Sequence, residues 1–168
     1  YTSIAVVGAD ADRNYYILEI DRFKTGIISE YFDHILKLHQ KWDFRKLRAE
    51  VTSAQQVIVN DLKQNYIRPY GLALAIEEFK PNRYGGTKME RVHAALQPKY
   101  QNLQMWHYMG GLCQTLEEEL VLSNPPHDDV MDSVASAAET SIPPSPGQIS
   151  NNSNYRPPVG HSRFGGYA

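Results

Sequence analysis

Three aspartates lie close together near the C-terminal end of the sequence. Asp128, Asp129 and Asp132 follow a pair of prolines and open a segment in which Val130 and Val134 recur at helical spacing. That spacing places Asp129 and Asp132 together on one helix face. Clustered carboxylate oxygens are hard ligands that suit Mg²⁺ or Mn²⁺. The structural alternative is that the helix dipole stabilises acidic side chains in a first turn.

Glu50 is the second candidate for this chemistry. It lies at the end of a predicted strand over residues 47–51, just before a helix predicted to begin near Thr52. The carboxyl ends of strands are where α/β sheets place their functional groups. The alternative is a strand-edge glutamate that is paired with Arg48 or Lys46.

Two basic residues are candidates for binding phosphate. Lys88 and Arg91 share one face of a helix predicted over residues 88–96, after a Gly85-Gly86 loop. Such side chains contact nucleic-acid phosphates, although a solvated helix face is an equal alternative. The order G-x-x-x-x-G-K-[ST] is absent from the chain, so the sequence does not encode ATP hydrolysis at a P-loop.

Three further residues have weaker claims to a role in chemistry. His127 could bind metal or carry protons near neutral pH, although a lone histidine beside two prolines is more often an ordinary loop residue. Asp10 and Asp12 lie in a predicted turn, where aspartate is expected for its local hydrogen bonds.

The hydrophobic pattern predicts the elements that position these residues. Strand-like and helix-like segments alternate, which predicts an α/β fold with a mixed sheet flanked by helices. The predicted order is a hairpin of residues 2–8 and 15–20, a helix capped by Ser29, a strand at 47–51, a helix from Thr52 or Ser53, a strand at 72–76, a helix at 88–96, a strand at 104–107, and helices at 112–122 and 128–139.

The composition suits one soluble domain. The chain has 168 residues, of which 42% are hydrophobic, and this length excludes a multidomain enzyme. Seventeen basic and nineteen acidic residues give a net charge of -2, so any contact with DNA must be local. The single cysteine, Cys113, excludes a disulfide framework and a multi-cysteine zinc site. No apolar run approaches the roughly 18 residues that cross a bilayer, so we expect no membrane association.

The composition changes near residue 140. Residues 141–168 contain no acidic residue and are dominated by Pro, Gly, Ser and Asn. Such a segment has too few apolar side chains to offset the entropy that it would lose on ordering. We therefore predict a folded domain over residues 1–140 and a disordered tail over residues 141–168.

Five segments, taken in order, carry a resemblance to a known family. They are YTSIAVVG (1–8), NYYILEIDR (14–22), AEV (49–51), KMER (88–91) and HDDVMDSVA (127–135). Together they resemble the nuclease domain of the large terminase subunit of tailed bacteriophages. The similarity extends over nearly all of residues 1–139, and its most specific part is the Asp-Asp pair that opens the last helix.

The resemblance implies a ribonuclease H-like fold and an endonuclease that cuts concatemeric double-stranded DNA during viral genome packaging. The family's second and third acidic positions match Glu50 and the pair Asp128-Asp129, with Asp129 expected as the direct ligand and Asp128 in support. Two Mg²⁺ or Mn²⁺ ions would activate water and stabilise the leaving oxygen. Lys88 and Arg91 would hold DNA phosphates.

The resemblance also implies partners and a location. The expected partners are double-stranded DNA, other terminase and portal packaging proteins, and an ATPase domain upstream in the parent chain. The expected location is the cytoplasm of the infected host cell.

The family's first aspartate has no match in this sequence. In the family it lies on a strand before the hairpin, whereas residues 1–4 here resemble the second family strand. We therefore expect a chain that lacks its first strand, an exposed sheet edge beside the gap, and little nuclease activity.

Two other functions stay open from the sequence. One is another ribonuclease H-like enzyme, such as a Holliday-junction resolvase or a transposase core. The other is a non-catalytic module that docks on DNA or on packaging proteins. An aspartate-bearing strand upstream in the parent gene would favour an enzyme, and a Walker A motif further upstream would favour a terminase.

Removal of the tail from Ser141 onward should leave the melting temperature nearly unchanged, because the tail supplies no core residues. Thermal unfolding of residues 1–140 and of the full chain, followed by circular dichroism, checks this. A drop of several degrees on truncation would show that the tail docks on the domain.

Overall fold

Strands and helices alternate along the chain. The computed structural model describes residues 1–51, 55–80, 87–122 and 125–145, so the predicted helix caps at Thr52 and Ser53 lie outside the described residues. A π-helical turn, Leu62–Ile67, connects the second helix to the third. The strands are β1 (Thr2–Ala9), β2 (Tyr15–Phe23), β3 (Lys46–Glu50), β4 (Ala75–Phe79) and β5 (Met105–His107), and the helices are α1 (Ile28–Trp42), α2 (Gln55–Asp61), α3 (Arg68–Tyr70), α4 (Lys88–Gln101), α5 (Gly111–Val121) and α6 (Asp129–Thr140).

Strands β1 and β2 form the predicted hairpin. They pair antiparallel, with a register shift between Val6 and Val7. The Asp10 carboxylate accepts hydrogen bonds from the backbone N–H groups of Asp12 and Asn14 at 3.0 and 2.8 Å. Asp10 therefore has the turn-forming role that is usual for aspartate.

The five strands form two sheets. β5 pairs parallel to β2, which gives a mixed sheet in the order β1-β2-β5, while β3 and β4 pair parallel to each other. Helices flank these strands, so the prediction of an α/β fold with a mixed sheet is confirmed. Within the described residues, β1 and β3 each have one edge without a partner strand.

Helix α6 and strand β1 run in the same direction. The hydroxyls of Ser133 in α6 and Ser3 in β1 are hydrogen-bonded at 2.8 Å. Further along both elements, Ser141 donates from its hydroxyl to the carbonyl of Val7 at 3.1 Å. Ser141 belongs to the predicted tail, so contacts with the domain extend at least to this residue. Residues 146–168 of that tail lie outside the described residues.

Strand β3 runs in the opposite direction along the same helix. Arg48, in the middle of β3, contacts Glu139 near the end of α6 at 2.9 Å. Glu50, at the end of β3, and Asp132, in the first turns of α6, line the same cleft. β1 and β3 are therefore antiparallel to each other, and α6 packs against both strands. A strand that paired antiparallel with β1 would run parallel to β3.

Apolar side chains cover both faces of the strands. Along β1, Ile4 packs on a cluster with α1 and the π-helical turn, whereas Ala5 and Val7 pack on a cluster with α4, α5 and α6. This alternation is the period of a strand that is buried on both faces. The fully buried residues of the second cluster include the single cysteine, and they are Val92, Leu96, Cys113, Leu116, Val130, Met131 and Val134.

Helix α6 lies within one residue of its predicted position at each end, and α4 begins at Lys88 as predicted but continues to Gln101, five residues beyond its predicted end. Helix α1 begins at Ile28, and its first turn has Thr25, not Ser29, as a side-chain partner, because the Thr25 hydroxyl accepts from the Ile27 N–H and donates to Glu30. Among the described helices, none has the length and apolar character needed to span a bilayer.

Leu116→Ala should lower the free energy of unfolding by about 2–5 kcal/mol, because Leu116 has no exposed surface and its truncation leaves a cavity. Urea unfolding measures this change. The matched control is Met109→Ala, since Met109 is 94% exposed and its truncation should have little effect. Equal losses for the two variants would contradict the assignment of the core.

Candidate functional site

Glu50 lies at the carboxyl end of β3, as predicted. It stands opposite Phe79 in the parallel pair of β3 and β4. The neighbouring cations Arg48 and Lys46 both pair with Glu77 of β4, at 3.2 and 3.7 Å. These ion pairs argue against the alternative that Glu50 is a strand-edge glutamate paired with Arg48 or Lys46.

The start of α6 is stabilised by a residue from another helix. Glu119 of α5 is only 4% exposed, and its carboxylate accepts a hydrogen bond from the backbone N–H of Met131 at 2.8 Å. The first N–H groups of a helix need such partners. Because Glu119 supplies one, the Asp128 side chain makes no capping hydrogen bond within the described residues.

Each of the three aspartates at the start of α6 is paired with a cation. Asp129 contacts Arg22 of β2 at 3.1 Å. Asp128 and Asp132 both contact the Lys88 ammonium, at 3.0 and 3.4 Å. The first turn of α6 is therefore connected to β2 through Asp129 and to α4 through Asp128 and Asp132.

Burial and the neighbouring charges shift the pKa of both Glu50 and Lys88. Its partial desolvation, reinforced by the negative charge of Asp132, raises the pKa of Glu50, although Arg91 and Lys88 oppose the shift. Burial disfavours the charged form of Lys88, but its contacts with Asp128 and Asp132 outweigh this and raise the pKa of Lys88. The cluster therefore holds a firmly protonated lysine beside carboxylates.

A small cleft opens beside Glu50. It has a volume of about 50 Å³ and is lined by residues of β3, β4, α4 and α6, among them Glu50, Arg91 and Asp132. The Arg91 guanidinium lies 5.9 Å from the centre of the Phe79 ring. Arg91 thus faces the same cleft as Glu50 and Asp132.

His127 takes part in packing at the edge of the cluster. Its ring lies edge to face against Tyr1, with 5.5 Å between the ring centres. The Tyr1 ring also lies 4.2 Å from the Arg22 guanidinium. These contacts favour the loop interpretation of His127.

The donor atoms fit a divalent cation in kind, but their arrangement does not. Glu50, Asp128 and Asp132 offer carboxylate oxygens, which Mg²⁺ prefers. In the described parts of the chain, however, no three His, Cys, Asp or Glu side chains form a group that could hold a metal ion. The aspartates instead form three ion pairs, two with Lys88 and one with Arg22. As folded, the cluster is a network of ion pairs.

Sequence reasoning missed Glu119 and Arg22. Glu119 is the last of three successive glutamates, a pattern typical of a solvated helix face, and only its 4% exposure distinguishes it. Arg22 ends one of the segments that carry the resemblance, residues 14–22, but nothing in the sequence indicates that it pairs with Asp129. Both roles depend on contacts between distant elements.

Comparisons with known proteins leave the family open. No protein-family model matches the chain, and no curated protein matches it significantly.

Glu50→Gln should raise stability at pH 7. Since the folded-state pKa of Glu50 is raised, ionisation of this carboxyl costs the folded state more than the unfolded one, and stability is lost as the pH rises above the ordinary glutamate pKa of 4.5 and through the folded-state pKa. The difference between wild type and variant should vanish well below that pH. Urea unfolding at pH 7 and at pH 3.5 measures it.

The control for this substitution is Glu78→Gln on the neighbouring strand. Lys63 and Gln56 bind the Glu78 carboxylate and lower its pKa, so this variant should be less stable than wild type at pH 7. Its deficit should also vanish in acid. Changes of the same sign for the two variants at pH 7 would contradict the electrostatic description of the site.

Proposed function

We propose that this chain is a metal-dependent DNA endonuclease domain of the ribonuclease H-like class, similar to that of the terminase large subunit. The observation that carries the proposal is the convergence of Glu50, at the end of β3, with Asp128 and Asp132 at the start of α6. These segments are far apart in sequence. Carboxylates gathered at a strand end suit the hard cations that assist phosphodiester hydrolysis.

The arrangement of the strands supports the same proposal. A mixed three-stranded sheet and a parallel pair, with helices on both faces, is compatible with a ribonuclease H-like fold. Strands β1 and β3 are antiparallel to each other, both pack against α6, and within the described residues each has one edge without a partner strand. A strand added between them, parallel to β3, would end beside Glu50, where a further carboxylate would complete the cluster.

The residues divide into two roles in this proposal. Glu50 and Asp128 would hold the cation. The resemblance predicts Asp129 as a further ligand, and the geometry adds Asp132. Bound Mg²⁺ or Mn²⁺ would supply a Lewis acid and an activated water. Arg91 would contact a phosphate of double-stranded DNA. Its positive charge would locally offset the net charge of -2.

The proposed biological setting follows from the resemblance. The domain would cut concatemeric viral DNA in the host cytoplasm, together with an ATPase domain and portal proteins.

A specific observation also favours a second candidate, a non-catalytic docking module. Lys88 and Arg22 already neutralise the aspartates, and the described residues contain no group of three metal-binding side chains. A domain of this kind would need no cation to fold and could serve as a scaffold for DNA or for another packaging protein.

Cleavage of supercoiled plasmid with Mn²⁺ or Mg²⁺ tests the proposal. The 168 residues alone should cut weakly or not at all, because the carboxylates in the part of the chain that the structure describes do not form a complete group. A version extended ahead of Tyr1 by a strand that carries an aspartate should cut. In that version Glu50→Ala and Asp129→Ala should abolish cutting, whereas Lys63→Met, which removes a distant partner of Glu78, should leave the rate unchanged.

Three outcomes of this assay would count against particular parts of the proposal. Strong metal-dependent cutting by the 168 residues would refute the missing-strand argument and make Asp10 or Asp12 candidate ligands. Full activity of the Glu50→Ala variant would refute the site. DNA binding without cutting by the extended version would favour the docking module.

A further inference from the structure

A second cleft, bordered by α4, α5 and β5, is larger than the one beside Glu50. It has a volume of about 360 Å³, and the apolar part of its lining includes Val92, Leu96 and Leu120. Mostly apolar clefts of about 300–1,000 Å³ are the usual binding sites of small molecules. Apart from Val92, the two clefts share no lining residue. The larger cleft is therefore a separate candidate site.

Glu117 gives this cleft a negative charge. Among the residues that line the cleft, Glu117 is the only aspartate, glutamate, lysine or arginine. Its one ion-pair contact within the described residues is with His107 Nδ1, at 3.7 Å. That nitrogen already lies 3.1 Å from the carbonyl oxygen of Tyr108, to which it can donate a hydrogen bond. In the described chain, no lysine or arginine is paired with the Glu117 carboxylate.

Tyr100 adds an unpaired hydroxyl to the same cleft. Its oxygen is buried and has no hydrogen-bond partner in the part of the chain that the structure describes. Burial, with a contribution from the negative charge of Glu117, raises the pKa of Tyr100 to about 12, so the hydroxyl is uncharged at neutral pH. A buried polar group without a partner is costly to the fold. A ligand in the cleft can supply the missing hydrogen bond.

We propose that this cleft binds a small organic cation, in which an ammonium group is attached to an aromatic or branched apolar body. The apolar body would lie against Val92, Leu96 and Leu120, where its removal from water favours binding. The ammonium would be attracted by the Glu117 carboxylate. An ammonium N–H can also donate to the Tyr100 hydroxyl, because a hydroxyl oxygen has free lone pairs.

The same lining disfavours two other classes of ligand. An anion such as a nucleotide would meet the like charge of Glu117, with no lysine or arginine in the lining to receive it. A neutral apolar molecule would gain nothing from the Glu117 charge. The inference does not depend on the proposed nuclease function, since neither Glu50 nor any of the three aspartates lines this cleft.

Titration calorimetry of the 168-residue chain with phenethylamine tests the proposal. Phenethyl alcohol and phenylpropionate are neutral and anionic probes of similar size and shape. At pH 7 the amine should bind about three- to fivefold more tightly than the alcohol, which is the gain expected from one exposed charge pair. Phenylpropionate should bind more weakly than either.

Two neighbouring glutamates provide a matched pair of variants. Glu117→Gln should weaken phenethylamine binding about three- to fivefold and leave phenethyl alcohol binding unchanged. Glu118→Gln removes the same charge one residue further along α5, but Glu118 does not line the cleft, and its carboxylate accepts from the Gln114 amide at 3.1 Å. This control should change the affinity less than about 1.5-fold at an ionic strength of about 0.15 M, which screens charges outside the cleft.

Tyr100→Phe separates ligand binding from stability. Loss of an unpaired hydroxyl should not lower the melting temperature of the free chain, whereas it should weaken phenethylamine binding. Circular dichroism establishes that each variant is folded. The Glu117 side chain is 52% exposed, so Glu117→Gln should fold and can carry the test by itself.

Each outcome decides one part of the proposal. A preference for the amine that is lost in Glu117→Gln and kept in Glu118→Gln supports it. Equal affinities for amine and alcohol, or equal losses in the two glutamine variants, would overturn the role of Glu117. A lower melting temperature with unchanged affinity in Tyr100→Phe would overturn the role of the hydroxyl. Absence of binding by all three probes would overturn the site, and none of these results bears on plasmid cleavage.

Discussion

The apolar face of α6 is the contact on which both sheets and the site depend. Val130, Val134 and Ala138 are buried on this face, and the helix packs on β1, β3, α4 and α5. Because protein interiors are close-packed, a tilt or slide of α6 would disturb all of these contacts together. The first turn of the same helix carries the aspartates. Their distance from Glu50 is therefore fixed by core packing and not by the acidic residues themselves.

The charges of the site are balanced by residues from elsewhere in the chain. Glu119 satisfies a backbone N–H at the start of α6, Arg22 neutralises Asp129, and Lys88 neutralises Asp128. Two carboxyls of the site are held at a cost, since burial raises the pKa of Glu119, and partial desolvation together with the negative charge of Asp132 raises the pKa of Glu50. Glu50 also lines the cleft, and a group whose charged form is disfavoured where it stands is a frequent mark of function.

Local patterns in the sequence predicted the elements, and contacts between distant elements decided the rest. Two β-rich runs joined by a turn-prone segment are enough to identify β1 and β2, and helical spacing with an acidic first turn identifies α6. β4 begins at Ala75 instead of Leu72, because its extent is set by pairing with Lys46 at the start of β3, which no local pattern encodes. Glu50 and the aspartates could be selected by residue type and spacing. That Lys88 and Arg22 pair with these aspartates could not be predicted, because the ion pairs join elements that are distant in the sequence.

Cys113 allows the opening of the packing between α5 and α6 to be measured. It is the single thiol of the chain, has no exposed surface, and lies on α5 in the cluster that also contains Val130 and Val134. Burial raises its pKa, so the thiol is unreactive while the helices stay packed. Its alkylation requires an opening of the α5–α6 interface, and the rate of labelling under native conditions therefore reports the free energy of that opening. Because α6 also carries the aspartates, labelling of this one buried sulfur atom follows the opening of the packing that holds the carboxylate cluster in place.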